Sequence, residues 1–286
     1  MRPAGERLAE GGLAASALAS SLVTVAILLF LLVMGLPLLR GGLILQLLGG
    51  GWQPDQGQYG IAPMLAGTLL IAPLGLLIAL PLCLGVSALV TVLGQNAVST
   101  FIRGFVRFMT GIPTVVYGFV GVFLLVPLVR ELFGHGSGMC VLSAALLLAV
   151  LISPTMILFF TEAFAGVPES YRRAVDALGG TRVQALVYVI LPQAWRGVLS
   201  GTIMGMGRAF GDTMIALMIA GNAARVPDSL LDPARTLTSH IALIKAADYE
   251  SLEFKSIFAC GLVLYLITAV LAVAVRGLAR DKGAVR

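Results

Sequence analysis

The sequence predicts an all-α, polytopic membrane protein with about six transmembrane helices. Three observations predict it. Apolar residues make up 58% of the 286 and charged residues only 12%, and the mean hydropathy is +0.99, a balance that belongs to proteins dissolved in lipid rather than in water. The apolar residues gather into runs of ~20–25 residues, the length needed to cross the ~30 Å hydrocarbon core. Between two of these runs lies a polar segment, residues 167–192, with the punctuation of a short helix-turn-helix.

The runs place spans at 15–39, 64–93, 104–130, 140–165, 197–221 and 256–279. The first is long and lacks a small-residue cleavage site, so it reads as an anchor and not a removed signal. In the third, Pro113 and Gly118 invite a local break or kink. Glu162, near the end of the fourth, reads as an interfacial carboxylate paired with a nearby arginine such as Arg172. The chain, 1–286, is expected to be one transmembrane domain with outer loops at about 40–63 and 222–255.

Orientation follows from basic residues near the span ends. With the N-terminus inside, the cytoplasmic side carries Arg2, Arg7, Arg103, Arg107, Arg172, Arg173, Arg182, Arg196, Arg276, Arg280, Lys282 and Arg286. The outer side carries Arg40, Arg130, Arg225, Arg235, Lys245 and Lys255, facing Asp55, Glu131, Asp228, Asp232, Asp248, Glu250 and Glu253. Both termini and segment 167–192 are therefore expected in the cytoplasm. The same bias explains the net charge of +5 without a nucleic-acid partner, which would need a clustered basic face.

Within segment 167–192, Pro168 and Glu169 suit a helix first turn, where a missing N–H is harmless and negative charge is favoured. Gly179-Gly180 suits a left-handed C-terminal cap. Thr181 and Gln184 form a capping box that starts the next helix. Ala174, Val175, Ala177 and Leu178 fall on one face, a natural knob for a groove on a partner protein.

Several chemistries have no residues to carry them. Cys83, Cys140 and Cys260 are isolated in or near apolar runs and read as inert buried thiols. His135 and His240 read as lone loop histidines and make no metal site. No phosphate-binding G-x-x-x-x-G-K-[ST] loop occurs, so ATP-driven work would need another chain to hold the nucleotide.

The fifth span, GTIMGMGRAFGDTMIALMIAG, holds Arg208 and Asp212 four residues apart, expected on one helix face. A charge at mid-bilayer costs ~2.5–3.5 kcal/mol on insertion scales. Two readings fit the pair: an ion pair that pins helix packing, or a charged element lining a substrate path. For the second, the planar fork of an arginine suits an oxyanion, and a carboxylate beside it moderates the field so that the anion leaves. Gly201, Gly205, Gly207 and Gly211 give two G-x-x-x-G spacings for close helix approach.

At these residues the chain resembles the permeases of ABC importers. Their cytoplasmic EAA loop has the pattern E-A-A, three residues, G, nine residues, I, one residue, L-P. Here the frame is Arg173-Ala174-Val175, Gly179, Val189 and Leu191-Pro192. The spacing matches throughout, with Arg173 replacing the Glu and Val175 the second Ala. Within the superfamily the chain is similar to PstC-type subunits of phosphate-specific importers, through Trp52-Gln53-Pro54, Tyr59-Gly60, Gly67-Thr68-Leu69, GIPTVVYGF (111–119), GRAFGDTM (207–214) and TLTSHIA (236–242). That family usually reads G-R-A-x-G-E-T at the fifth span, and its Arg and Glu, implicated in phosphate passage, map to Arg208 and Asp212.

The resemblance implies a type I ABC importer permease fold in a bacterial cytoplasmic membrane, working by alternating access with no cofactor and no ATPase site of its own. It implies a PstA-like second permease subunit, two copies of a PstB-like cytoplasmic ATP-binding subunit and a PstS-like phosphate-binding protein. The ATPase contact would be made by Glu169, Arg172, Arg173, Ala174, Val175, Asp176, Ala177, Leu178, Gly179 and Gly180. Two rival readings stay open: an ABC permease for molybdate, sulfate or a phosphonate, and an ATP-independent secondary transporter or channel, which would more naturally show duplicated broken helices.

Overall fold

The computed structural model describes residues 4–39, 48–94, 97–244 and 251–280. Of the residues used above for orientation, Arg2, Arg40, Lys245, Asp248, Glu250, Lys282 and Arg286 lie outside these. In chain order the elements are α1 (Ala4–Leu39), a hairpin of β1 (Trp52–Gln53) and β2 (Gln58–Tyr59), α2 (Ala62–Ala88), α3 (Ala97–Thr110), α4 (Thr114–Val120), α5 (Val126–Phe133), α6 (Val141–Ala165), α7 (Glu169–Ala177), α8 (Arg182–Ala185), α9 (Leu191–Gly211), α10 (Met214–Ile219), α11 (Leu237–Ile244) and α12 (Leu252–Arg280).

Among the described residues, five helical runs are long and apolar enough to cross a membrane: Glu10–Gly35, Ala62–Leu93, Thr114–Phe133, Val141–Ala165 and Leu252–Ala274. Two of the expected spans are divided. The run 104–130 breaks at Gly111–Pro113, where Pro113 is extended (φ −60°, ψ 142°) and starts α4; proline fixes its own φ and turns the preceding residue away from the helical region. This leaves α3, with Arg103 and Arg107, as a separate amphipathic helix. The run 197–221 ends as a helix at Gly211, because Asp212 is extended (φ −74°, ψ 128°) and α10 begins two residues later.

Three helices contain a five-residue π turn: Leu89–Leu93 after α2, Gly121–Leu125 between α4 and α5, and Leu186–Ile190 between α8 and α9. The last two have a common cause. Pro127 and Pro192 each stand two residues beyond their turn. A proline ring collides with the carbonyl four residues back, here that of Phe123 or Tyr188. In the wider turn the Val126 N–H reaches the Gly121 carbonyl and the Leu191 N–H reaches the Leu186 carbonyl, which relieves the crowding while keeping the backbone paired, as a lipid-embedded chain must.

The bundle is organised around α6, which packs on α2 along one side and on α9 along the other. Of its apolar window 67% is buried, whereas none of α1's is. Helix α1 leans on α12, with Phe30 edge-on to Phe258 at 5.7 Å. Several hydroxyls within the helices are satisfied locally: those of Thr68, Ser153 and Thr202 donate to carbonyls four residues back.

The α6–α9 contact depends on small residues. A methyl placed on Gly197 would lie 2.5 Å from Ala163 Cβ, on Gly201 2.7 Å from Phe159 Cβ, and on Gly205 2.7 Å from Met156 Cγ. The glycine stripe is therefore 197, 201 and 205, at a spacing of four. Gly207 and Gly211, expected to belong to it, face open space.

Candidate functional site

Segment 167–192 folds as its punctuation predicts. Pro168 is the N-cap of α7 and Glu169 its first residue. Gly179 adopts φ +75°, and the N–H groups of Gly179 and Gly180 return to the Asp176 and Val175 carbonyls at 3.0 and 2.9 Å. In the capping box, the Gln184 N–H donates to Thr181 Oγ1 at 3.3 Å and the Thr181 N–H donates to Gln184 Oε1 at 2.8 Å.

Two arginines fix this segment to the bundle. Arg172 Nη2 donates to the Phe164 carbonyl at 3.0 Å and its Nε lies 3.9 Å from Glu169 Oε2. Arg182 Nη1 donates to the Leu93 carbonyl, at the end of the π turn of α2, at 3.2 Å. Arg172 is thus bound to Phe164 and Glu169, not to Glu162, which is exposed. The expected knob is also redistributed. Val175 turns inward against the core, and a methyl on Gly180 would lie 2.5 Å from its Cγ1. The outer surface is made by Glu169, Arg173, Ala174, Asp176, Ala177, Gly179 and above all Leu178, which is 88% exposed.

The charged span departs further from its helical reading. Arg208, in the last turn of α9, donates from Nη1 to Thr155 Oγ1 of α6 at 2.9 Å. The Asp212 carboxylate instead accepts the Ile215 N–H at 2.8 Å and so closes the first turn of α10. Among the described residues no ion pair joins Arg208 to Asp212; the break in the helix removes Asp212 from the face that carries Arg208. Chemically, the site is a guanidinium held by a neutral hydroxyl, with most of its donors uncommitted, beside a carboxylate engaged in backbone capping.

The backbone at the break is held from a distance. Thr238 Oγ1 of α11 donates to the Asp212 carbonyl at 2.8 Å. Thr68 Oγ1 of α2 accepts the Leu237 N–H at 2.9 Å. A small cavity of about 10 Å³ beside Asp212 is lined by Thr68, Thr236 and Thr238 among others, room for a single water. Sequence reasoning missed Thr155 and Thr238 as site residues. Thr155 had one local signal, a hydroxyl that with Ser153 flanks Pro154 in a largely apolar run.

Comparison with known proteins agrees with this architecture. The family profile of the binding-protein-dependent transport system inner membrane component matches residues 82–282. A probable ABC transporter permease protein, YqgH of Bacillus subtilis (strain 168), is 33% identical over 268 residues, covering 92% of this chain and 87% of that protein. The phosphate transport system permease protein PstC of Pasteurella multocida (strain Pm70) is 31% identical over 238 residues, covering 77% and 74%. Among solved structures, an inward-facing MetNI methionine ABC transporter chain is similar in fold, with TM-score 0.56 at 18% identity over 79% of this chain and 99% of that one. The chain belongs to the family of inner-membrane components of binding-protein-dependent transport systems, as a membrane-spanning permease subunit of an ABC importer.

Proposed function

We propose that this permease carries inorganic phosphate, and that Arg208 is its anion contact. The observation that carries the reading is the partner of Arg208: an arginine within the apolar bundle hydrogen-bonded to the hydroxyl of Thr155 and, among the described residues, to no carboxylate. A guanidinium neutralised by an acid has little left for an anion, whereas one held by a hydroxyl keeps a two-pronged face for an oxyanion. PstC relatives named for phosphate transport, at about the same identity over three quarters of the chain, support phosphate among the oxyanions.

The mechanism is alternating access. A tetrahedral oxyanion does not fit a 10 Å³ cavity, so passage requires α9, α10 and their neighbours to part. A PstA-like partner permease would complete the path. Two PstB-like ATPase subunits would grip α7 through Leu178 and its neighbours, with both termini of this chain on the same, cytoplasmic side. A PstS-like binding protein would deliver phosphate to the opposite face. The exposed Arg173, standing where the EAA pattern has Glu, would meet a complementary acidic position on the ATPase. Motion of α7 has three routes into the bundle: along the chain into α9, through Arg172 to the end of α6, and through Arg182 of α8 to the end of α2.

The test is ATP hydrolysis by the purified complex in lipid, with the cognate binding protein loaded with phosphate, sulfate or molybdate. Stimulation by phosphate alone is expected. Stimulation by another oxyanion in preference to phosphate reassigns the substrate, and hydrolysis indifferent to all three overturns the reading.

A further inference from the structure

The break between α9 and α10 has an unusual support. An extended residue inside a bundle leaves backbone groups unpaired, and each must find a partner away from bulk water. The Asp212 side chain satisfies the Ile215 N–H. The Asp212 carbonyl is satisfied by Thr238, a residue 26 positions away in the segment between α10 and α12. That segment is itself built rigidly. Thr238 Oγ1 meets Thr236 Oγ1 at 3.0 Å, and the Thr236 N–H donates to Ser239 Oγ at 2.9 Å. The Leu237 N–H is held by Thr68, and Gly67 lets the Arg235 backbone lie directly on α2, where any Cβ would collide with the Arg235 carbonyl.

We propose that Thr238 is a positioning residue of the transport path, and that its hydroxyl holds the chain broken at Asp212. Without that donor, the partner the chain itself offers the Asp212 carbonyl is the Ala216 N–H, four residues on and now engaged by the Asp212 carboxylate; a carbonyl bond to it is the bond of a continuous helix. A continuous helix would bring Asp212 onto the face of Arg208 as an i, i+4 pair. The guanidinium would then be neutralised by its own chain. Thr238 therefore selects between a broken span with an available Arg208 and a straight span with a paired one. The segment 234–239 is the device through which events at the far ends of α2, α11 and α12 reach mid-span. This inference rests on the assignment of Arg208 to the anion path; its effect on helix geometry does not depend on which anion moves.

The test uses the assembled complex in lipid, with Thr238→Val, which keeps the shape and removes the donor, and Thr238→Ser, which keeps the donor. Spin labels replacing Met204 and Leu217 report the geometry, since the three native cysteines are buried. In Thr238→Val the label distance should shift towards the about 20 Å expected of thirteen residues of continuous helix. Maximal phosphate flux should fall about tenfold, with the half-saturating concentration of loaded binding protein unchanged. Thr238→Ser should restore both at normal complex yield. Wild-type distances and flux in Thr238→Val overturn the proposal. So does a defect that Ser fails to rescue, or one that tracks loss of complex. If the distance shifts and Ser restores it while the wild type moves no phosphate, the phosphate assignment falls and the role of Thr238 in holding the break stands.

Discussion

Replacing Gly201 with Ala tests how α9 is seated. A methyl there would lie 2.7 Å from Phe159 Cβ and 2.9 and 3.0 Å from two ring atoms of Phe160. Ordinary carbon contacts are ~3.5–4.0 Å, so about 1 Å must be found. Phe159 Cβ is fixed to its backbone, and the Phe160 ring is fully buried with nowhere to turn. The helices must part, at the ~1–3 kcal/mol typical of overpacking. The matching control is Gly207→Ala on the same helix, where nothing lies within 4 Å; there only the helix-propensity gain of up to ~1 kcal/mol remains. Both variants receive that gain, so their difference isolates the packing term, ~1–3 kcal/mol in favour of Gly207→Ala. Thermal unfolding of the purified complex measures it. Equal midpoints, or a lower one for Gly207→Ala, would refute the assignment of the stripe to residues 197, 201 and 205.

Three further outcomes are expected. Arg208→Gln should abolish phosphate flux at normal complex yield, and Arg208→Lys should rescue poorly, because a point charge does not reproduce a two-pronged contact; full flux with Lys would argue for a simple positive field. Leu178→Asp, at an 88% exposed position, should leave the unfolding midpoint of the isolated permease unchanged while cutting binding-protein-stimulated ATP hydrolysis by tenfold or more, about 1.4 kcal/mol of coupling; intact stimulation would move the ATPase contact elsewhere. His240 is fully buried against Trp52, with Nε2 3.1 Å from Ser256 Oγ. Burial, and then the charge of Arg235, push its imidazole down from 6.5 to about 4. The folded state therefore favours the neutral ring, and the stability it contributes is complete above pH 6.5 and lost as pH falls towards 4, at most about 3 kcal/mol; His240→Phe should flatten the dependence of the unfolding midpoint between pH 7 and pH 5.

What the sequence revealed was what is decided locally. The capping box at Thr181, the left-handed Gly179 and the first turn at Pro168 are satisfied by residues within five positions of one another, and they fold as their pattern says. The apolar runs were equally legible as membrane-crossing material, because burial in lipid needs only length and composition. The errors lie where a distant residue decides. The 3.6-residue period runs on across Asp212, yet the helix stops there, since Thr238, in a segment that Thr68 anchors through Leu237, supplies a partner from 26 positions away. The Gly211-Asp212-Thr213 triplet, three weak helix formers in succession, was the one local sign. Arg208 took Thr155, on a neighbouring helix, over the carboxylate one turn along its own. The glycine stripe was misplaced for the same reason: spacing identified a face, but only the neighbour α6 determines which face is used.

The π turn at Leu186–Ile190 has a geometric consequence for force transmission. Each residue of an α-helix advances the chain by about 100° around the axis. A turn that accommodates one residue too many therefore rotates everything before it by about that angle relative to everything after it. Residues 169–185 lie on one side of this offset and the whole of α9 on the other. If the Leu178 surface is the proposed ATPase contact, the turn would work as a crank, delivering a push received there into the bundle along an azimuth set by a single surplus residue. Pro192, by forbidding the regular ladder at that point, keeps the crank from unwinding into a straight rod.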